Sequence, residues 1–421
     1  MNLLNIFVPI ALSFQGNDSL PGVDQLVHEF MAENNVPGLS LGVSYQGKKL
    51  YSRAYGFADR ESGQKLNTRS LFRIASISKP ITSIAIMQLV ESGKLKLNAT
   101  VFGPAGILGT RYGHQPYKAE VKQITIHQLL QHIGGGWGNR QNDPMFSDSS
   151  LPVDKLISVT VDSLPLENAP GTKYSYSNFG YCVLGRVIEK LTGEEYDGYV
   201  KRTILQSAGI TDMQIGGNGL ADRRENEVKY YGQGDEDPYC CNIRRMDSHG
   251  GWIASAGDLL QILARVDGDS TVPDILSADS RKQMLTPPVV SPTYACGWIV
   301  DAKGNFSHNG SLPGTRTNLF HQENGYGYAV LLNTRGTDSI FNNALRDFYN
   351  DLQVAVEGHL PATIVKSYLP AEFADSNRAE RMEAAFPIIK EMYRKYAEKH
   401  HIPGLTFGLV NEGKLVYADG I

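Results

Sequence analysis

Cysteines, basic runs and long apolar runs are all scarce in this sequence, and each shortage excludes a class of protein. The 421 residues contain four cysteines, too few for a disulfide scaffold. The net charge is −4 and no long basic stretch occurs, so a nucleic acid is not expected as a partner. No apolar run reaches about 18 residues, so a stable membrane span is not expected either.

Short motifs for metals and for one major hydrolase fold are also missing. The sequence has no C-x-x-C and no H-E-x-x-H, and His127 and His132 are poorly spaced for two ligands on one helix face. We therefore expect no metal and no cofactor. A G-x-S-x-G sequence is absent too, which argues against an esterase of the α/β-hydrolase type.

The first 19 residues form a candidate signal or lead segment. Residues 3–12 are mostly apolar, and Ala11 and Ser13 could lie near a cleavage site, but the start of the segment has no Lys or Arg. The alternative is a short hydrophobic segment that packs on the domain. A signal peptide would make the protein periplasmic or secreted, whereas a protein without one would be cytoplasmic.

Strand patterns at both ends of a helical middle predict an α+β protein. An apolar stripe over 23–31 predicts a helix, two apolar segments around Gln46-Gly47 predict a hairpin, and a run over 79–93 predicts a buried helix. Further strands are predicted over 294–300, 304–308, 315–322 and 326–333, and a closing helix over 340–356. We expect one antiparallel sheet, built from both ends of the chain and flanked by helices, with an inserted, mainly helical subdomain over about 95–290.

The C-terminal tail repeats the start of the domain. Residues 402–417 align without gaps with residues 36–51, and seven of the sixteen positions are identical. We expect a domain over 20–357, a linker over 358–380, and the truncated start of a second copy of the domain over 381–421. The tail would pack on its own domain or dock on a neighbouring chain, which would give a homodimer.

Ser76 and Lys79 form an S-x-x-K pattern at the start of the predicted buried helix. A serine hydroxyl needs a base within hydrogen-bond reach to act as a nucleophile. The first turn of a helix would place Ser76 and Lys79 on one face, whereas Ser78 would point elsewhere. An isolated S-x-x-K is more often a helix N-cap followed by a solvated lysine. Other motifs in the sequence are needed to choose between these two interpretations.

Two later motifs favour the catalytic interpretation. Tyr176-Ser177-Asn178 precedes a helical run, and His308-Asn309-Gly310 lies on a predicted strand near the end of the domain. Each motif is weak alone, because a loop tyrosine or a structural histidine is common. The order and spacing of all three motifs is a much stronger signal.

The three motifs resemble the superfamily of serine β-lactamases and penicillin-binding proteins. The chain looks closest to the branch that contains class C β-lactamases, family VIII esterases and D-aminopeptidases. The resemblance covers about residues 20–357 and includes the segments ITIHQLLQHIGGG and NFSHNGSLPGT. It implies the β-lactamase/transpeptidase fold and a serine hydrolase that works through an acyl-enzyme.

The resemblance implies catalytic roles for the first two motifs. Ser76 would be the nucleophile, with Lys79 beside it, and Tyr176 would relay the proton. A lysine ammonium near a tyrosine favours the phenolate, so we expect a lowered pKa for Tyr176. Asn178 would hold Lys79 or the substrate amide. The backbone N–H groups of Ser76 and Ser311 would form the oxyanion hole.

The third motif would bind substrate through His308, Gly310 and Ser311, but it departs from the usual pattern. Typical members have Lys-Thr-Gly or Lys-Ser-Gly where this chain has His308-Asn309-Gly310. The lysine gives a fixed positive charge for a substrate carboxylate, whereas a histidine is mostly neutral at pH 7. Weak recognition of carboxylate-bearing β-lactams is therefore expected, unless the nearby Arg316 restores the charge.

The sequence thus predicts a serine hydrolase for small esters, amides or β-lactams, foremost a carboxylesterase with weak β-lactam hydrolysis. A D-amino-acid peptidase or DD-carboxypeptidase, or a true class C-like β-lactamase, is the alternative within the same chemistry. A non-catalytic penicillin-binding sensor is the alternative of another class. The intact set of Ser76, Lys79 and Tyr176 argues against the sensor.

Overall fold

The structure, a computed structural model, describes residues 20–138, 143–358, 378–399, 401–411 and 414–421. The candidate signal or lead segment, 1–19, and most of the predicted linker, 359–377, lie outside the described residues. The chain divides into two compact units, Met1–Glu357 and Gly358–Ile421. None of the helices in the described part of the chain is long and apolar enough to cross a membrane.

The helices and strands of the first unit are numbered in chain order. The helices are α1 (Pro21–Glu33), α2 (Ser78–Glu91), α3 (Ile126–Leu130), α4 (Val153–Ser163), α5 (Asn178–Thr192), α6 (Tyr196–Val200), α7 (Ala256–Leu263), α8 (Ala278–Leu285) and α9 (Ser339–Gly358). The strands are β1 (Gly38–Tyr45), β2 (Lys48–Asp59), β3 (Gln64–Lys65), β4 (Phe72–Arg73), β5 (Gln214–Ile215), β6 (Trp252–Ala254), β7 (Ile299–Val300), β8 (Phe306–Leu312), β9 (Thr315–His321) and β10 (Tyr326–Leu332).

The main sheet has seven strands in the order β3-β2-β1-β10-β9-β8-β7. Every neighbouring pair is antiparallel, and β1 from the start of the chain pairs with β10 from the end of the domain. The predicted α+β architecture, with one sheet built from both ends of the chain, is therefore confirmed.

The first hairpin turns at Gln46 and Gly47, whose φ angles are both positive, at 48° and 70°. A two-residue turn with two positive φ angles matches the twist of the strands that it joins.

Helices cover the sheet next to this hairpin. A Cβ atom on Gly42 of β1 would lie 2.8 Å from Leu260 of α7, so the glycine allows a close approach of this helix. Phe30 of α1 stacks on Phe348 of α9, with the ring centroids 4.5 Å apart.

The region over about 95–290 contains α3 to α8, which are joined by long turns and loops. It also contributes β5 and β6, which pair with β4 in a three-stranded sheet of order β4-β6-β5. The sequence did not predict these strands, since two or three residues are too few to show a strand periodicity. Helix α2 is buried at nearly every position from Ser78 to Leu89, as its all-round apolar pattern predicts.

The strand predicted over 294–300 is wrong for most of its length, because only Ile299–Val300 forms a strand. The preceding residues make a turn in which the Ala295 N–H donates to the Trp298 carbonyl over 2.8 Å. Gly297 has a φ of 78°, and a Cβ atom there would lie 3.1 Å from the Lys79 carbonyl oxygen. The chain therefore turns closely over α2 before β7 begins.

The second unit contains helix α10 (Arg378–Lys399) and a hairpin of β11 (Thr406–Asn411) and β12 (Lys414–Gly420). Phe386 stacks on Tyr417, with centroids 4.4 Å apart, so the helix packs on one face of the hairpin. The β11–β12 register shifts between Leu409 and Val410, and the β1–β2 register shifts between Val43 and Ser44. These two points are equivalent in the alignment of the repeated segments.

Strand β8 runs close to a 3-10 turn at Ala75–Ile77 that leads into α2. A Cβ atom on Gly310 would lie 2.1 Å from the Ile74 carbonyl oxygen and 2.2 Å from Thr317 Oγ1. Both atoms are held, because the Thr317 hydroxyl donates to that carbonyl over 3.0 Å. Gly310 is therefore required for the close approach of the strand to the turn.

We predict that Gly310→Ala lowers the free energy of unfolding by about 1–3 kcal/mol, because the added methyl group has no space to enter. Chemical denaturation followed by circular dichroism measures this loss. Gly219→Ala is the matched control, since a Cβ atom on Gly219 meets nothing within 4 Å. Equal unfolding midpoints for the two variants would contradict the proposed close contact.

Candidate active site

Ser76 lies in the 3-10 turn Ala75–Ile77 at the entrance of α2. The residues before Ser76 have a defined geometry: the Ile74 N–H donates to the Trp252 carbonyl over 3.0 Å, and Ala75 has a φ of 48°. Ser76 is partly exposed at a cleft of about 400 Å³. The residues that line this cleft include Ser76, Asp143, Asn178, His249, Ser311 and Arg335.

Lys79 is fully buried beneath the cleft, with 0% of its surface exposed. Its Nζ atom donates to Ser76 Oγ over 3.1 Å, to Asn178 Oδ1 over 2.7 Å and to the His249 carbonyl over 2.9 Å. Burial lowers the pKa of Lys79 to about 7, and the nearby Asp143 carboxylate opposes this shift. The amine can therefore exist without a proton near neutral pH, next to the Ser76 hydroxyl.

Tyr176 covers Lys79, whose Nζ lies 4.8 Å from the centroid of the tyrosine ring. The predicted lowering of the Tyr176 pKa is wrong. Although part of the side chain reaches the surface, burial raises its pKa, and a hydrogen bond with Ser76 offsets only part of the rise. Since removal from water raises the pKa more than the neighbouring amine can lower it, the phenol keeps its proton around neutral pH.

Asn178 begins α5 and connects Lys79 to Asp143. Its Oδ1 accepts from Lys79, and its Nδ2 donates to Asp143 Oδ2 over 2.8 Å. The preceding Ser177 caps the helix by accepting from the Gly180 N–H over 3.0 Å. The Asp143 carboxylate also accepts from the Met145 N–H over 2.9 Å, and burial raises its pKa. Asp143 was not predicted as a site residue, because its position before a proline was its only distinguishing feature in the sequence.

His308 belongs to a buried chain of hydrogen bonds. The partners at the two ends of this chain determine which atom donates and which accepts in each bond. The Ser177 N–H donates to His132 Nδ1 over 3.1 Å, so His132 carries its proton on Nε2. His132 Nε2 lies 3.1 Å from the Tyr294 hydroxyl, which lies 3.0 Å from His308 Nε2. His308 Nδ1 lies 2.7 Å from the Asn309 carbonyl, which can only accept. Tyr294 therefore accepts from His132 and donates to His308.

Both imidazoles in this chain are neutral. Burial and the nearby Lys79 lower the pKa of His308 to about 3, and the same two causes place the pKa of His132 well below its usual value. His308 is 2% exposed, and both of its ring nitrogens have partners inside the protein. His132 and Tyr294, which were not predicted as site residues, thus connect the second motif to the third.

Two arginines differ in their position relative to the cleft. Arg335 lines it and donates from Nη1 to Ser311 Oγ over 2.9 Å, while its Nε donates to Glu236 over 2.8 Å.

Arg316 lies on β9 between Thr315 and Thr317. The hydroxyls of these two threonines donate to the carbonyls of Arg73 and Ile74, just before the Ser76 turn. Since side chains alternate along a strand, Arg316 points to the other face of the sheet, where its charge acts on Tyr349 of α9. Arg316 does not bring a charge to the cleft.

Comparisons with known proteins agree with this geometry. Residues 23–350 match the family model described as Beta-lactamase. Esterase EstB of Burkholderia gladioli is 32% identical over 219 residues, which are 48% of this chain and only 53% of EstB. Penicillin-binding protein 4 of Amycolatopsis lactamdurans is 28% identical over 345 residues, 76% of this chain and 87% of that protein.

A solved structure shares the fold. The D-amino acid amidase of Ochrobactrum anthropi SV3, complexed with L-phenylalanine, superposes with a TM-score of 0.66 and 20% identity over 80% of this chain and 98% of that one. At this identity, the likeness supports the fold alone. The family match over most of the first unit is the stronger finding. The chain belongs to the beta-lactamase family of serine hydrolases, within the superfamily that also contains penicillin-binding proteins and esterases.

Proposed function

We propose that this protein is a carboxylesterase that works through an acyl-enzyme on Ser76. The observation that carries the proposal is the buried Lys79 amine, 3.1 Å from Ser76 Oγ, with a pKa lowered to about 7. A serine needs such a base in contact with its hydroxyl to attack a carbonyl carbon. The partly exposed position of Ser76 at the cleft gives a substrate access to it.

In the proposed mechanism, the neutral Lys79 takes the proton of Ser76 as Oγ attacks the ester carbonyl. The Tyr176 phenol, hydrogen-bonded to Ser76, passes a proton from Lys79 to the departing alkoxide. The backbone N–H groups of Ser76 and Ser311 stabilise the oxyanion, each by about 3 kcal/mol. A water molecule that enters the cleft then attacks the acyl carbon while Lys79 takes its proton; the bond to Ser76 Oγ breaks, the proton passes to Oγ, and the carboxylic acid leaves.

The third motif supports a neutral ester rather than a carboxylate-bearing β-lactam. His308 is neutral and fully engaged, so in this proposal it positions the β8 strand through Tyr294 and Asn309. Gly310 allows β8 to approach the Ser76 turn. The one guanidinium that lines the cleft among the described residues, Arg335, is already paired with Glu236. Strong binding of a substrate carboxylate is therefore not expected.

A D-amino-acid amidase is the second candidate, and Asp143 is the observation that favours it. A carboxylate in the cleft suits a substrate with an amino group. The non-catalytic sensor is less favoured because it would not need a lysine with a lowered pKa beside the serine. Stoichiometric acylation by a β-lactam without turnover of any ester or amide would favour the sensor.

Ser76→Ala should abolish ester turnover and labelling by a fluorophosphonate, while Ser78→Ala should retain labelling. Ser78 is fully buried and accepts from the Trp252 N–H over 3.4 Å, so a reagent in the cleft does not reach it. Mass spectrometry of the labelled protein locates the adduct. An adduct on any serine other than Ser76 would falsify the assignment.

The pH dependence should report Lys79. Below its pKa of about 7 the amine is protonated and cannot accept a proton, so kcat/KM should rise with pH and level off above pH 7. Tyr176→Phe should lower the rate by about 10² and keep this inflection, because the base remains. Initial rates with a neutral ester from pH 5 to 9, corrected for hydrolysis without enzyme, test both points. Loss of the inflection in Tyr176→Phe would assign the base to Tyr176 instead.

We also propose that residues 381–421 are the start of a second copy of the domain and that they mediate a homodimer. The repeated sequence and the register shift at equivalent positions of the two hairpins support the first statement. Large apolar side chains that remain exposed in the second unit support the second statement: Ile388, Met392, Val410, Leu415 and Val416.

A variant that ends at Gly358 should keep ester hydrolysis, because every proposed site residue lies in the first unit. The same variant should be a monomer, because it lacks the exposed apolar side chains of the tail. Activity assays and size-exclusion chromatography with light scattering, run beside the full chain, measure both properties. An unchanged oligomer would place the association surface in the first unit.

A further inference from the structure

Cys240 and Cys241 are two adjacent thiols that the proposed hydrolysis does not use. Their Sγ atoms lie 3.4 Å apart in a loop of the first unit. Cys240 is exposed, whereas Cys241 is buried, and burial raises the pKa of the Cys241 thiol to about 12. The other two cysteines, Cys182 and Cys296, are fully buried. Cys240 is therefore the thiol that a dissolved reagent reaches first, and a second sulfur atom is already in contact with it.

The buried thiol of this pair packs beside the turn that carries Ser76. It belongs to a small cluster of buried apolar side chains whose other members are Ala75, Ile243, Met246 and Leu312. Ala75, Met246 and Leu312 also line the cleft at Ser76. A movement of the Cys241 side chain therefore changes the packing directly behind the nucleophile.

Hydrogen bonds hold the loop of the two cysteines on both sides. Before the pair, the Pro238 carbonyl accepts from Arg73 Nη1 over 2.7 Å, and Arg73 is itself buried three residues before Ser76. After the pair, the Ile243 N–H donates to the Cys241 carbonyl over 3.1 Å. Because both ends of the short loop are held, a change of the backbone at the two cysteines acts on the Ser76 turn as well.

A disulfide between adjacent residues is strained. Consecutive Cα atoms are about 3.8 Å apart, whereas the Cα atoms of most disulfides are about 4.4–6.8 Å apart. The two sulfur atoms would also have to approach from contact to a bond of about 2.05 Å, which requires the backbone between them to turn. Strained disulfides are more easily reduced, and they are the labile or regulatory kind. A bond between these two cysteines would therefore be reversible.

We propose that Cys240 and Cys241 form a reversible disulfide that lowers the activity of the Ser76 site, with a peroxide as the oxidant. The Cys240 sulfur attacks the peroxide, the O–O bond breaks, and a sulfenic acid and water form. The Cys241 sulfur then displaces hydroxide from the Cys240 sulfur, and the thiol proton of Cys241 joins that hydroxide as water. Two thiols thus lose two electrons and two protons, and hydrogen peroxide becomes two water molecules. The effect on activity rests on the proposed hydrolysis at Ser76, whereas the disulfide itself does not.

Peptide mapping of the full chain, first reduced and then treated with hydrogen peroxide, tests the bond. Trypsin cleaves after Lys229 and Arg244, so both cysteines lie in the peptide 230–244, which contains no methionine. We expect this peptide to be lighter by two hydrogen atoms and to resist iodoacetamide until glutathione is added. Cys182 and Cys296 should remain thiols. A sulfinic acid at Cys240, or a disulfide between two chains, with Cys241 still a thiol would overturn the proposal.

Ester hydrolysis measures the coupling to Ser76. The kcat/KM of the oxidised chain should fall at least about tenfold, since a misplacement of about 1 Å can cost about 10²-fold, and glutathione should restore it. Cys240→Ser is the matched control, because it keeps an exposed side chain of similar size but cannot form the bond. Its activity should be that of the reduced wild type, before and after peroxide. An equal loss in Cys240→Ser, or a loss that glutathione does not reverse, would assign the effect to another residue and refute the switch.

The disulfide and the esterase proposal fail in different ways. If the disulfide forms and kcat/KM does not change, the coupling to the Ser76 turn is wrong. If peroxide leaves both thiols of peptide 230–244 reduced, the disulfide is wrong and the esterase proposal is unaffected. If the reduced chain hydrolyses no ester, the esterase proposal is wrong, and the peptide map still decides whether the disulfide forms.

Discussion

The burial of one lysine is the constraint on which the first unit depends. Lys79 lies on α2, a helix surrounded by apolar side chains, where an ammonium group is unfavourable. Three acceptors satisfy its Nζ, and they come from three separate segments: the Ser76 turn, the start of α5 and the His249 carbonyl. The same contacts that make the buried amine tolerable therefore also fix the geometry of the cleft, and the residual cost of burial lowers the pKa of Lys79 toward neutrality.

A second set of contacts connects the mainly helical region to the sheet without using any charge. The chain of hydrogen bonds runs from Ser177 through His132 and Tyr294 to His308. Each ring nitrogen in it is either a donor or an acceptor, and the Tyr294 hydroxyl accepts from His132 and donates to His308. Protonation of His308 on Nε2 would remove the acceptor that the Tyr294 hydroxyl needs. A lysine at this position would bring a charge but could not accept that hydrogen bond. The histidine of the third motif therefore keeps this buried contact between the second and third motifs free of charge.

Sequence patterns predicted the elements of this fold better than they predicted the electrostatics of its site. The apolar stripe of α1, the turn at Gln46-Gly47 and the all-round apolar α2 are local features that repeat with the period of a helix or a strand. Asp143, His132 and Tyr294 come from three different loops. Only the folded chain brings Asp143 to the cleft and places His132 and Tyr294 in the buried chain of hydrogen bonds. For Tyr176 the neighbouring amine was visible in the motif, but the extent of burial was not. Desolvation depends on every segment that packs around the ring, so the direction of its pKa shift could not be derived from spacing.

The two hairpins show that the burial of an apolar face also could not be derived from the sequence pattern alone. Val43 of β1 is fully buried, whereas the equivalent Leu409 of β11 is partly exposed, although both follow the same alternation and lie at equivalent register shifts. Phe30 of α1 is 5% exposed against Phe348, whereas the equivalent Tyr396 of α10 is 52% exposed. An apolar pattern therefore shows which face of a helix or strand is apolar. Whether that face is buried depends on the neighbouring strands and helices. In the first unit, β10, α7 and α9 provide that cover. The same sequence pattern thus forms a domain core in one place and an exposed apolar surface in the other.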